Sequence, residues 1–252
     1  MTATAASCRA IVVSGARDIH DHFKQAAAAA RTPVEIVETQ SADSASRMLS
    51  AGGTDLIFLD DDLPSEDIVR IVTAARAVNH GPLTLLMTTS KQAGSSFDTD
   101  AVTIKPASAE DTGRLIEGAI RLRRGMRVLV VDDSATMRGI VRRVLWATRF
   151  PLEIVEVDAG AAALEAVRGG EFSVVFLDCN MPGMSGLDAL AALSREDRDA
   201  AVVMITSSQD EALAEKIRQQ GAALLKKPFF PEDVEAVLFD LWGIRALNTR
   251  RH

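Results

Sequence analysis

Among the polar residues of this sequence, Asp132, Asp133, Asp178, Thr206 and Lys227 stand out because each closes or follows a short aliphatic run: VLVV, VVFL, VVMI or LLK. Apolar runs of that kind read as strands of a parallel sheet buried on both faces. Side chains at their carboxyl ends gather in the crevice where such sheets bind ligands. Three carboxylates brought together repel one another and rise in pKa unless a cation sits among them. A hard divalent ion, Mg²⁺, answers that need, since it keeps several waters and takes one or two carboxylates together with phosphate oxygens. The pattern therefore asks for a phosphoryl group. Paired aspartates after a strand are, by themselves, more often a solvated turn or a helix cap. It is the coincidence of five groups at four strand ends that points to a site.

The elements that must position them come from a module that occurs twice. RAIVVSGAR (9–17) returns as RVLVVDDSA (127–135) at an offset of 118, and the same offset carries DLIFLDDDLP (55–64) onto SVVFLDCNMP (173–182). LLMTTSKQ (85–92) matches VVMITSSQ (202–209), and TIKPAS (103–108) matches LKKPFF (225–230). Each copy alternates β-branched apolar runs with helical stretches, which predicts two doubly wound α/β domains in tandem, over 1–124 and 125–252. In the second copy strands are predicted near 127–131, 152–157, 173–178, 201–206 and 222–226, with helices near 134–148, 160–169, 185–195, 209–220 and 231–242. Ser134 is a candidate N-cap, and Pro231, Glu232 and Asp233 suit a first helical turn. In the first copy Ser108 and Asp111 open a helix that closes on Arg121, Arg123 and Arg124. SKQAGSSFDTD (90–100) reads as a loop in place of the fourth helix. Trp146 and Trp242 fall in predicted helices and read as packing residues.

In this order VLVVDDS, VVFLDCNMPGMSG, VVMITSS and LKKPF resemble the receiver domain of bacterial two-component response regulators, over nearly all of 126–245. The resemblance implies a flavodoxin-like (βα)5 fold and a cytoplasmic response regulator of a phosphorelay, a signalling protein and not an enzyme beyond its own phosphorylation and dephosphorylation. By it, Asp178 is the phosphoacceptor for a histidine kinase or histidine phosphotransferase. Asp133, Asp178 and the backbone carbonyl of Asn180 hold Mg²⁺, and Asp132 positions a metal-bound water. Lys227 offsets phosphoryl charge, Thr206 donates to the acyl phosphate, and the Lys227–Pro228 bond is cis. At the switch position, three residues before that lysine, the family places Tyr or Phe; here it is Leu224, and the chain has no tyrosine.

The first copy keeps Asp60, Thr89 and Lys105 at three of the matching positions, but Ser14 and Gly15 replace the acidic pair. Without that pair nothing at the end of its first strand holds a metal, and Lys105 is free to pair permanently with Asp60. It reads as a degenerate receiver that takes no phosphate and serves docking or regulation. Asp61 and Asp62 are the neighbouring carboxylates that could stand in. A constitutive, unphosphorylated scaffold is the alternative, as is an N-terminal fragment of a larger regulator whose effector domain is missing. A haloacid dehalogenase-type phosphatase is excluded, because VVDDSAT lacks the D-x-D-x-T/V motif.

Composition removes other classes. The net charge is −7, with 13 basic against 16 acidic residues up to Arg124 and 15 against 19 after it, so neither half is built to grip nucleic acid by charge. No apolar run reaches the roughly 18 residues of a membrane span, and the first ten residues lack the basic and apolar regions of a secretory signal. Two cysteines, Cys8 and Cys179, make neither a disulfide framework nor a four-ligand zinc site. Nucleotide-binding, esterase and zinc-protease motifs are missing.

Overall fold

The computed structural model describes residues 7–90, 97–196 and 200–246. They form two compact units, one of residues 7–123 joined by 242–246, the other of residues 124–241. The division near Arg124 follows the repeat. The segment after Leu241, however, belongs to the first unit and not to the second, a correction to the 125–252 boundary.

The second unit runs β6 (Met126–Val131), α5 (Ala135–Trp146), β7 (Leu152–Val157), α6 (Gly160–Gly169), β8 (Val174–Asp178), α7 (Gly186–Leu193), β9 (Ala201–Thr206), α8 (Glu211–Gln219), β10 (Ala223–Lys226) and α9 (Pro231–Asp240). Its five strands are all parallel in the order β10-β9-β8-β6-β7. Register aligns the strand ends: Val131 lies opposite Leu177, Asp178 opposite Ile205, and Thr206 opposite Lys226. Every residue of β8 is buried: the apolar run Val174–Leu177, as a central strand covered on both faces requires, and Asp178 at its end. Helix starts are fixed by side chains, as Ser134 accepts from the Met137 amide, Ser185 from Asp188 and Asp210 from Ala212. At α9 the Asp233 carboxylate accepts the Phe230 amide.

The first unit repeats that plan with β1 (Cys8–Val13), α1 (Arg17–Ala29), β2 (Val34–Thr39), α2 (Ala42–Ser50), β3 (Leu56–Asp60), α3 (Ser65–Arg76), β4 (Leu83–Thr88), β5 (Ala101–Ile104) and α4 (Ala109–Arg124). Ser108 caps α4 through the Asp111 amide. Among the described residues no helix lies between β4 and β5, and residues 91–96 of the loop predicted there fall outside the described residues. The strand order is again β5-β4-β3-β1-β2, but a sixth, antiparallel strand, β11 (Ile244–Ala246), pairs with β5.

One helix end and one packing reading are corrected. α9 stops at Asp240, so Trp242 lies beyond it in a turn. Trp146 does not pack into a core; it is 63% exposed at the end of α5, with the Arg142 guanidinium 5.1 Å from its ring.

Candidate functional site

Parallel strands in register bring Asp132, Asp178, Thr206 and Lys227 to one end of the second sheet. Lys227 Nζ donates to Asp178 Oδ1 at 2.7 Å and lies 3.5 Å from Asp132 Oδ2. The other Asp178 oxygen accepts the Asn180 amide at 2.8 Å. Asp132 Oδ1 accepts the Ser134 amide, while its Oδ2 is enclosed and has no hydrogen-bond partner. Burial pushes the Asp132 carboxyl above its usual range, and the Asp178 charge adds to that; the Ser134 amide and Lys227 pull it back only in part. Thr206 is buried, and its Oγ1 accepts the Ser208 amide. The Lys227–Pro228 peptide is cis. Asp133 and Asn180 are exposed at the rim, and the Asp133 carboxylate makes no ion pair among the described residues. Leu224 is half-buried against the apolar cluster beneath the sheet. Cys179, next to Asp178, is buried, and burial raises its thiol pKa, which suits a packing residue and not a reactive one.

The donor types suit a hard divalent cation, but Asp132, Asp133 and Asp178 are not gathered closely enough for all three carboxylates to reach one ion as they stand. Two buried carboxylates share one ammonium, an enclosed carboxylate oxygen lacks a donor, and a third carboxylate stands adjacent in the chain.

Two further residues shape this corner, and neither was singled out from the sequence. Arg138, in the first turn of α5, donates to the Asp132 backbone carbonyl at 2.7 Å and so pins the loop that carries the acidic pair. Gly186 lets α7 start hard against the loop after β8. A Cβ at 186 would sit 2.3 Å from the Asp178 carbonyl oxygen and 2.7 Å from Cys179 Cα. The glycine that closes GMSG was the available signal for the second.

In the first unit the corresponding corner is closed. Ser14 occupies the Asp132 position: its hydroxyl accepts the Ala16 amide, as Asp132 accepts that of Ser134, and donates to Asp60 at 2.5 Å. Lys105 Nζ sits 2.7, 2.8 and 2.6 Å from carboxylate oxygens of Asp60, Asp61 and Asp62. These three carboxylates are also the group among the described residues close enough set to hold a metal, and an ammonium already occupies their centre. Burial alone would raise the Asp60 pKa; Lys105, Ser14 and the Asp62 amide more than reverse it and hold the carboxyl below its usual range. The threonine of this corner is Thr88 and not Thr89. Thr88 is buried, pairs with Ile104 and accepts the Lys105 amide, as Thr206 accepts that of Lys227, whereas Thr89 is exposed. Matching MTT to MIT slid the register by one residue; the offset of 118 that links Asp60 to Asp178 also links Thr88 to Thr206.

A doubly wound (βα)5 unit with carboxylates at its first and third strand ends, a hydroxyl at the fourth and a lysine after the fifth defines a receiver-type protein. Comparison with known proteins agrees: residues 128–239 match the family model described as response regulator receiver domain. The response regulator UvrY of Escherichia coli O6:H1 is 32% identical over 119 residues, 47% of this chain and 55% of that protein. Chemotaxis protein CheY-3 of Vibrio cholerae is 35% identical over 111 residues, 43% of this chain and 85% of that protein. A solved probable two-component system response regulator/GGDEF domain protein aligns over 91% of this chain and 95% of its own at 22% identity, TM-score 0.48. The chain belongs to the response regulator receiver family and carries two receiver-type units in tandem, the first degenerate. It spans about half the length of the UvrY relatives it matches. Among the described residues no helix is long and apolar enough to cross a membrane.

Proposed function

We propose that the second unit is a phosphoacceptor switch working in the cytoplasm, and that the first is a docking or regulatory unit that takes no phosphate. The observation that carries this reading is Lys227 Nζ held between Asp178 and Asp132, beside an enclosed Asp132 oxygen that no donor satisfies. A carboxylate attacks a dianionic phosphoryl group poorly, so the barrier falls mainly through alignment and cancellation of charge on the equatorial oxygens. An Asp178 oxygen forms the new bond to phosphorus as the P–N bond to the donor histidine of a kinase or phosphotransferase breaks, and the imidazole, already protonated on its other ring nitrogen, takes the P–N electron pair and leaves neutral. Lys227 then moves from neutralising the free carboxylate to neutralising the phosphoryl oxygens. Mg²⁺ held by Asp133, Asp178 and the Asn180 carbonyl, with Asp132 orienting a water, would supply the remaining positive charge. Thr206 changes partner: its hydroxyl donates to the acyl phosphate, a contact made in one state only, and such contacts are what shift a population. With Leu224 in place of an aromatic residue, the inward pull at Thr206 reaches the surface through aliphatic packing around β10.

Acetyl phosphate with Mg²⁺ tests the reading. The expected result is a mass gain of one phosphoryl group, located on Asp178 and abolished by Asp178→Asn. No gain in the unaltered chain would leave a constitutive scaffold. Label found on Asp60 in Asp178→Asn would overturn the role given to the first unit.

A further inference from the structure

The repeat calls for five strands in each sheet, and the first sheet has six. β11 covers the outer edge of β5, with Ile244 opposite Thr103, Arg245 opposite Val102 and Ala246 opposite Ala101. Ile244 is fully buried, and the Thr103 hydroxyl lies 3.4 Å from the Gly243 carbonyl it donates to. Gly243 takes φ 68°, the left-handed region that turns the chain from Trp242 into the strand. Trp242 lies against α4 where residue 118 is glycine; a Cβ there would meet Trp242 Cβ at 2.4 Å and Cγ at 2.6 Å. Glycine inside a helix is destabilising relative to alanine, so its use at Gly118 is accounted for by the indole that needs the space. An aromatic anchor, a left-handed glycine, a buried aliphatic side chain and a paired edge thus occur in one five-residue segment.

We infer that the β5 edge and the notch at Gly118 form a strand-docking site, specific for an extended segment in which an aromatic residue precedes a buried aliphatic one by two positions. The occupant is the chain's own Trp242–Ala246, which acts as a releasable clasp. Strand addition of this kind takes affinity from main-chain hydrogen bonds and selectivity from side-chain pockets. Among the described residues three pairs form the ladder, so the anchor at Gly118 carries the selectivity and the clasp can open without unfolding the other five strands.

Hydrogen exchange on the full chain, with the peptide Trp-Gly-Ile-Arg-Ala as probe, tests this. Trp242→Ala should speed exchange of the β5 amides by roughly tenfold or more, while β1 and β3 stay protected. Saturating peptide should restore that protection. Gly118→Val should expose β5 equally and show no rescue. β5 exchange unchanged in Trp242→Ala, or equal rescue of Gly118→Val, would overturn the proposal. Should Trp242→Ala expose β1 as well, Ile244→Ala replaces it, since it leaves the indole in its notch, and the same two outcomes decide.

Discussion

Asp60 and Asp132 are both buried carboxylates at strand ends, and their surroundings drive them in opposite directions. Asp132 holds an enclosed charge whose burial outweighs its partners, the arrangement of a group kept for binding and not for stability. Asp132→Asn, in metal-free buffer at neutral pH, should therefore stabilise the second unit by about 1–2 kcal/mol, read as a higher urea midpoint with an unchanged slope. Asp60 is the reverse case. Its folded pKa lies below the unfolded value near 3.8, so its contribution is present above that value and is lost as pH falls through the folded pKa. Asp60→Asn should cost the first unit about 1–3 kcal/mol at neutral pH, a deficit that shrinks in acid; a deficit constant down to pH 3 would contradict the ion-pair account. That Asp132, Asp178, Thr206 and Lys227 meet at one end of the sheet was legible because residue type and strand-end position coincide at each. Thr89 was taken in place of Thr88 because two adjacent threonines offer two registers; the offset of 118 selects Thr88, and its pairing with Ile104 and Lys105 agrees.

At the scale of elements, α7 and the loop after β8 depend on one missing side chain. Gly186→Ala should destabilise the second unit by about 1–3 kcal/mol and slow labelling of Asp178 further than the stability loss explains, because the Cβ collides with the backbone of Asp178 itself. Labelling as fast as in the parent chain would show that this backbone tolerates displacement. Strands and helices of the second unit fall within a residue or two of their predicted ends, since short aliphatic runs such as VLVV, VVFL and VVMI and side-chain caps are strong local signals. Trp146 was misjudged for the same local reason: a helical position says nothing about which face meets a core. Arg138 was invisible, since its partner is a backbone carbonyl six residues back and no pattern of side chains announces it.

For the whole molecule, the chain leaves the first unit at Arg123, builds the second, and returns at Trp242. No periodic signal betrays the return, because Ile-Arg-Ala is too short to carry one and its partner lies 140 residues away. Ending the chain after Leu241 should lower the stability of the first unit by about 2–4 kcal/mol and leave the rate and extent of Asp178 labelling unchanged, checked by following both in one titration. The same path has a price during synthesis. At about 5–20 residues per second, the ribosome reaches Ile244 roughly 10–30 s after it has made β5. For that interval the nascent first unit carries a bare sheet margin, open to any neighbouring polypeptide on a crowded polysome. Its last strand arrives only after an entire second module has been threaded out behind it.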